Sequence, residues 1–95
     1  MKAYSVSTLK TKTKMTQQEI KDKVLPIAAK YLNENASDID VAANMEEHYG
    51  ADSLDITEIA MDVERAFSIS LSDESIRGFK TVQDIIDEVQ RHILD

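Results

Sequence analysis

Residues 50–67 of the chain read GADSLDITEIAMDVERAF. Asp52 belongs to the residue types favoured directly before a first helical turn, so the sequence predicts a helix that begins after Asp52 and runs to about Phe67. At 100° per residue, one arc of about 100° collects aliphatic and aromatic side chains and should face the core. Its members are Ile56, Ile59, Ala60, Val63 and Phe67. Leu54 and Met61 lie on the opposite side, within about 20° of each other.

Leu54 and Met61 have two interpretations, because a small bundle cannot bury both sides of one helix. Scattered surface hydrophobes are common and need no function. Alternatively, the two residues form the apolar centre of a docking patch rimmed by acids. Helical spacing alone favours the first interpretation, whereas closeness to Ser53 favours the second.

Ser53 occupies the first turn of this predicted helix. A phosphate ester on its hydroxyl would meet unpaired backbone amides and the positive end of the helix dipole, worth about 0.3–1 kcal/mol. The carboxylates of Asp52 and Asp55 would oppose a free anion. The position therefore suits a covalently attached phosphodiester better than a free phosphate, although a first-turn serine is most often an ordinary surface residue.

Two further long helices are predicted on either side of this one. Thr16 and Glu19 have capping-box spacing, which predicts a helix over residues 17–33 that is bent rather than ended by Pro26. Its apolar stripe contains Ile20, Val24, Ile27, Ala28, Tyr31 and Leu32. Thr81 is the predicted cap of a last helix. The apolar stripe of that helix contains Val82, Ile85, Ile86, Val89 and Ile93.

The remaining segments connect these helices. Residues 34–51 should form a long loop anchored on the core by Ile39, Val41 and Met45; such loops are often functional. A short helical turn after Ser72 should carry Ile76. The predicted fold class is all-α: a small four-helix bundle of three long helices and one short one, with the long loop between the first and second helices.

Composition limits the functions available to this chain of 95 residues. Without cysteine, disulfides, thiolate metal sites and cysteine nucleophiles are excluded. No stretch approaches the roughly 20 apolar residues of a membrane span. We therefore expect a cytoplasmic protein, or an organellar one if residues 1–15 belong to a leader.

Charge divides the chain into residues 1–15, a predicted flexible basic extension, and residues 16–95, the predicted functional domain. The extension holds four lysines and no acid, so the domain has a net charge of −11, four more negative than the total of −7. We expect this domain to repel nucleic acid and anionic membranes and to be steered toward basic partner surfaces. An acidic surface that serves only solubility explains the charge equally well.

Enzyme and calcium-binding functions find little support in the sequence. His48 precedes Ser53, but the residues around Ser53 do not form the G-x-S-x-G motif. Asp38 and Asp40 begin a pattern like an EF-hand loop, yet Ala43 stands where that loop requires glycine. We expect neither catalytic residues nor a dedicated metal site, and an acidic helical interaction or calcium-binding module remains the alternative from another class.

The segment GADSLD, residues 50–55, resembles the phosphopantetheine attachment motif of acyl carrier proteins, whose core is Asp-Ser-Leu. The resemblance covers residues 16–95. Its further matching positions are Glu58, Met61, Val63, Glu64, Phe67, Leu71, Asp73, Glu74, Thr81 and Val82.

This resemblance implies a phosphoprotein of lipid metabolism rather than an enzyme. Ser53, flanked by Asp52 and Leu54, would receive 4′-phosphopantetheine from coenzyme A through a phosphopantetheinyl transferase, the holo-synthase. The thiol of this arm would carry acyl groups as thioesters to enzymes of fatty-acid or related biosynthesis. A polyketide, aminoacyl or specialised lipid pathway is the alternative cargo assignment.

The resemblance also implies a monomer that docks on basic patches of the transferase and of acyl-processing enzymes, through contacts that weaken with salt. The candidate docking residues are Asp55, Glu58, Met61, Glu64, Arg65, Asp73, Ile76 and Arg77. Family members can enclose the acyl chain within the bundle. The candidate lining residues are Ile59, Val63, Phe67 and Ile76, which core packing explains equally well.

Four positions depart from the family pattern. Tyr49 replaces a usual leucine, and Thr57 replaces a usual aliphatic residue of the interface. Arg65 and Arg77 stand where fatty-acid carriers often have acids. These two reversals of charge suggest the hypothesis of a specialised carrier with its own enzymes.

Overall fold

The computed structural model describes residues 15–94, which form helices and no strand. The helices are α1 (Gln17–Leu32), a 3-10 turn (Ala36–Asp38), α2 (Met45–Tyr49), α3 (Ser53–Phe67), α4 (Asp73–Arg77) and α5 (Val82–Leu94). The all-α fold class is confirmed. None of the helices in this range combines the length and the apolar character needed to cross a bilayer. The predicted basic extension, Met15 excepted, lies outside the described residues.

The capping residues predicted from the sequence stand at the starts of α1 and α5. The Thr16 hydroxyl accepts from the Glu19 N–H at 3.1 Å, and the Glu19 carboxylate accepts from the Thr16 N–H at 2.9 Å. The helix continues through Pro26 and stops one residue before the predicted end, because Asn33 adopts a left-handed conformation with φ 60°. The Thr81 hydroxyl caps α5 by accepting from the backbone N–H of its third residue.

The connection between α1 and α3 is more structured than predicted. It contains the 3-10 turn and α2, a helix of five residues that begins at the Asn44 cap and ends at Gly50, with φ 72°. Met45 is fully buried, Ile39 is buried and Val41 is half-buried, so the three predicted anchors are confirmed. The predicted long loop is therefore corrected to two short helical segments joined by turns.

Burial of one side of α3 sets its rotation in the bundle. Ile56, Ile59, Ala60 and Val63 are buried, whereas Leu54 is 62% exposed and Met61 is 45% exposed. The core face packs on α1, which also packs on α5, and α4 packs on α3. The two-sided arrangement predicted for this helix is confirmed, with Phe67 half-buried at its end.

Candidate functional site

The candidate site begins where two aspartates cap α3 reciprocally. Asp52 Oδ1 accepts from the Asp55 N–H at 2.9 Å, and Asp55 Oδ2 accepts from the Asp52 N–H at 3.1 Å. Within residues 15–94, the N–H groups of Ser53 and Leu54 have no such partner. The cap therefore uses both carboxylates internally and leaves two amides at the helix end uncovered.

Ser53 is exposed at this helix end. Its backbone carbonyl accepts from the Thr57 hydroxyl at 2.8 Å, and this hydrogen bond lies on the exposed surface of the helix. No hydrogen bond to the Ser53 hydroxyl occurs among the described residues. A solvent-facing hydroxyl without a partner is accessible to a visiting enzyme, as a covalent attachment point requires.

Ser53 borders a cleft of about 220 Å³ between α3, α4 and the segment that precedes α5. The lining residues are Asn44, Glu46, Ser53, Ile56, Thr57, Ile76, Arg77, Phe79 and Lys80. Ile56 and Phe79 are each 6% exposed and form an apolar floor. Of the predicted site residues, the structure brings Ile76 and Arg77 beside Ser53. Lys80 and Phe79 were not among the predicted residues.

A second, shallower groove follows the outward side of α3. We call its lining the outer patch: Tyr31, Leu54, Thr57, Glu58, Met61, Asp62 and Arg65. Leu54, Glu58, Met61 and Arg65 were predicted docking residues, and the structure brings them together. The sequence placed Asp62 beside Leu54 and Met61 on α3, but it did not predict Tyr31 here, because the meeting of Tyr31 with Asp62 depends on how α1 crosses α3.

A family model described as "Phosphopantetheine attachment site" matches residues 22–89. The acyl carrier protein of Onion yellows phytoplasma (strain OY-M) is 42% identical over 65 residues, which cover 68% of this chain and 86% of that protein. This chain belongs to the acyl carrier protein family. The acyl carrier protein of Porphyromonas gingivalis is 35% identical over 75 residues, covering 79% of this carrier and 96% of the relative.

A solved structure supports the same fold. The acyl carrier protein from Enterococcus faecalis, described for its high thermal stability, superposes with a TM-score of 0.67 at 26% identity. The match covers 81% of this carrier and 98% of that chain. The prosthetic group of such a carrier is a covalent phosphopantetheine. A free, exposed hydroxyl beside an apolar cleft with cations at its rim fits this group.

A hydrogen-bonded cluster forms one edge of the outer patch. The Tyr31 hydroxyl donates to Asp62 Oδ2 at 2.7 Å, and Arg65 forms an ion pair with Asp62 Oδ1. The hydrogen bond from Tyr31, more than the charge of Arg65, lowers the pKa of Asp62, while burial opposes the shift. The same hydrogen bond is the main cause that raises the pKa of Tyr31. Arg65 is thus partly neutralised by a carboxylate of its own helix.

The other predicted docking residues lie away from the outer patch. The Glu64 carboxylate accepts from the Leu71 N–H at 2.7 Å and so holds the connection after α3. Asp73 lies at the start of α4 and borders a small groove with Thr57, Ile76 and Arg77. Ile59 and Val63, predicted as acyl-chain lining, are fully buried in the core. Docking by Glu64 and Asp73 and acyl-chain lining by Ile59 and Val63 stay predictions.

Replacing Tyr31 by phenylalanine should raise the pKa of Asp62 toward its ordinary value of 3.8. Since the folded-state pKa is depressed, the interaction stabilises the fold above about pH 4, and this stabilisation is lost as the pH falls through the folded-state pKa. We therefore expect Tyr31→Phe to be less stable at neutral pH and to lose less stability on acidification. Carboxyl NMR titration and denaturant unfolding at several pH values measure the two effects.

The matched control is Tyr49→Phe, because the Tyr49 hydroxyl accepts from the Asp40 N–H at 2.8 Å and bonds no carboxylate of residues 15–94. This variant should leave the titration of Asp62 unchanged. An Asp62 pKa that is the same in Tyr31→Phe and wild type would contradict the assigned cause.

Proposed function

We propose that this carrier holds acyl groups as thioesters on a 4′-phosphopantetheine arm attached to Ser53, and delivers them to enzymes of fatty-acid or related biosynthesis. The single observation that carries the proposal is the exposed hydroxyl of Ser53 at the capped start of α3, which has no hydrogen-bond partner within residues 15–94. The Asp-Ser-Leu motif stands at that same point. Ser53 is the acceptor in the transferase reaction and not a catalyst.

The residues around Ser53 have distinct roles in this proposal. Asp52 and Asp55 fix the start of α3, so that the hydroxyl leaves the helix at a constant position. Leu54 follows Ser53 on the exposed side and marks the attachment point for the transferase. The chain has no cysteine, so the arm supplies the thiol that binds the acyl group. A long arm then raises the effective concentration of its cargo at each docked enzyme.

The outer patch is the proposed docking surface for the transferase and for acyl-processing enzymes. Leu54 and Met61 provide its exposed apolar centre, and Glu58 provides a carboxylate for a basic partner. Apolar centres with a polar rim are characteristic of protein interfaces. A cytoplasmic, monomeric carrier is part of the same proposal and rests on the sequence pattern alone.

A specialised pathway is the second candidate, favoured by the positive charge that borders both grooves. Arg65 borders the outer patch, and Arg77 borders the cleft beside Ser53. Partners with uniformly basic patches would meet these cations unfavourably. Replacing both arginines by glutamate should then slow the cognate enzymes and favour those of ordinary fatty-acid synthesis.

Incubation with coenzyme A and a phosphopantetheinyl transferase of broad specificity should add one phosphopantetheine group to the wild-type protein. We expect no addition to Ser53→Ala and full addition to Ser70→Ala, which removes an exposed hydroxyl elsewhere. Intact-mass spectrometry measures the result. Modification of Ser53→Ala, or an unmodified wild type, would rule out the assigned attachment site.

Truncating Met61 tests docking separately from attachment, because Met61 lies about two helical turns from Ser53. For Met61→Ala we expect the kcat/KM of the transferase to fall roughly tenfold, about 1.4 kcal/mol, mainly through KM. Its free energy of unfolding should stay within about 0.5 kcal/mol of wild type.

The control for Met61 is Gln18→Ala, an exposed truncation on α1 whose side-chain amide donates to Asp22 at 2.8 Å. It should leave kcat/KM unchanged. Equal kinetics for Met61→Ala and wild type would remove the outer patch from the docking surface.

A further inference from the structure

Two cations line the cleft beside Ser53, although the carrier as a whole is strongly acidic. Arg77 is the last residue of α4 and Lys80 follows three residues later, and both line the cleft together with Ser53. Both side chains are exposed, and neither forms an ion pair with any residue between 15 and 94. Each is therefore available to an anion that enters the cleft.

Backbone hydrogen bonds connect Lys80 to the residues directly before Ser53. The Lys80 carbonyl accepts from the Met45 N–H at 2.8 Å, and the Met45 carbonyl accepts from the Ala51 N–H at 3.1 Å. The Lys80 N–H in turn donates to the Asp84 carboxylate at 2.9 Å. The root of the Lys80 side chain is thus fixed relative to the start of α3.

The end of α4 is fixed in a similar way. The Gly78 N–H donates to the Glu74 carbonyl at 3.2 Å, and the Phe79 N–H donates to the Ile76 carbonyl at 3.2 Å. Ile76 and Phe79 then face the cleft as part of its apolar lining, with Arg77 between them in sequence. The backbone that carries Arg77 and Lys80 is therefore fixed by hydrogen bonds, and both residues lie on one wall of the cleft.

The charge of the cleft matches one phosphodiester. Arg77 and Lys80 contribute two positive charges and Glu46 contributes one negative charge, which leaves a single excess positive charge. The carboxylates of Asp52 and Asp55 are not among the lining residues and are used in the cap of α3. A phosphodiester on Ser53 would bring one negative charge to the two cations of this lining.

An ordinary surface role explains this arrangement less completely. A basic residue in the last turn of a helix is favoured by the helix dipole, which accounts for Arg77. Lys80 lies beyond the end of α4 and gains nothing from that dipole. The helix dipole therefore does not account for both cations at the cleft beside Ser53.

We propose that Arg77 and Lys80 bind the phosphodiester at the root of the arm and hold that root in the cleft beside Ser53. The inference rests on the proposed attachment to Ser53. Exposed ion pairs are individually weak, but a tethered anion is always at high local concentration. The basic surface of a docked enzyme would compete for the phosphodiester and release the root of the arm.

The experiment compares the protein before and after loading with phosphopantetheine, with intact mass measured on every sample. In the wild type, the Arg77 side-chain Nε–H signal and the Lys80 amide should shift on loading. In about 0.5 M salt these shifts should largely disappear, because the screening length falls to a few ångströms. The phosphorus-31 transverse relaxation of the loaded wild type should be roughly twofold faster than that of loaded Arg77→Gln/Lys80→Gln.

Lys23→Gln is the charge control, because Lys23 lies 5.8 Å from the ring of Phe67 at the far end of α3. The phosphorus-31 transverse relaxation of loaded Lys23→Gln should equal that of the loaded wild type. Loaded wild type without shifts at Arg77 and Lys80, or with the relaxation of the double variant, would overturn the inference while leaving attachment intact. A wild type that gains no mass would instead overturn the attachment itself and the inference with it.

Discussion

Burial of one face of α3 is the constraint on which the rest of the carrier depends. Each fully buried aliphatic side chain contributes about 1.5–3 kcal/mol, so turning Ile56, Ile59 and Val63 out of the core would cost several kcal/mol. Burying Leu54 and Met61 in their place would recover too little of this free energy. The helix therefore has one stable rotation, which presents the outer patch to solvent and places Ser53 between that patch and the cleft.

The reciprocal cap adds a second constraint, along the helix axis rather than around it. Asp52 and Asp55 satisfy each other's N–H groups, so the start of α3 is fixed without the Ser53 hydroxyl. A hydroxyl at this point can be esterified without breaking any hydrogen bond among the described residues. The cap and the Ser53 hydroxyl are consequently adjacent, but modifying the hydroxyl does not weaken the cap. This separation suits a protein that many enzymes must visit.

Sequence predicted the parts of the fold that local rules determine. The starts of α1, α3 and α5 followed from their caps, and the core face of α3 followed from helical periodicity, because both signals lie within one segment. α2 was missed because its five residues bury only Met45 and show no periodicity. The hydrogen bond between Tyr31 and Asp62 and the place of Lys80 in the cleft depend on how separate segments pack, and no local pattern records that. Ser53 could be proposed from the sequence as the attachment point because the Asp-Ser-Leu motif coincides with the start of a predicted helix.

The most direct test of the account is tandem mass spectrometry of this protein purified from the cells that make it. Trypsin should release residues 31–65 as one peptide, which contains both Ser37 and Ser53. We expect a phosphopantetheine group, free or acylated, on Ser53 and none on Ser37. A natural protein whose Ser53 is entirely unmodified, or whose arm is attached to another residue, would contradict it.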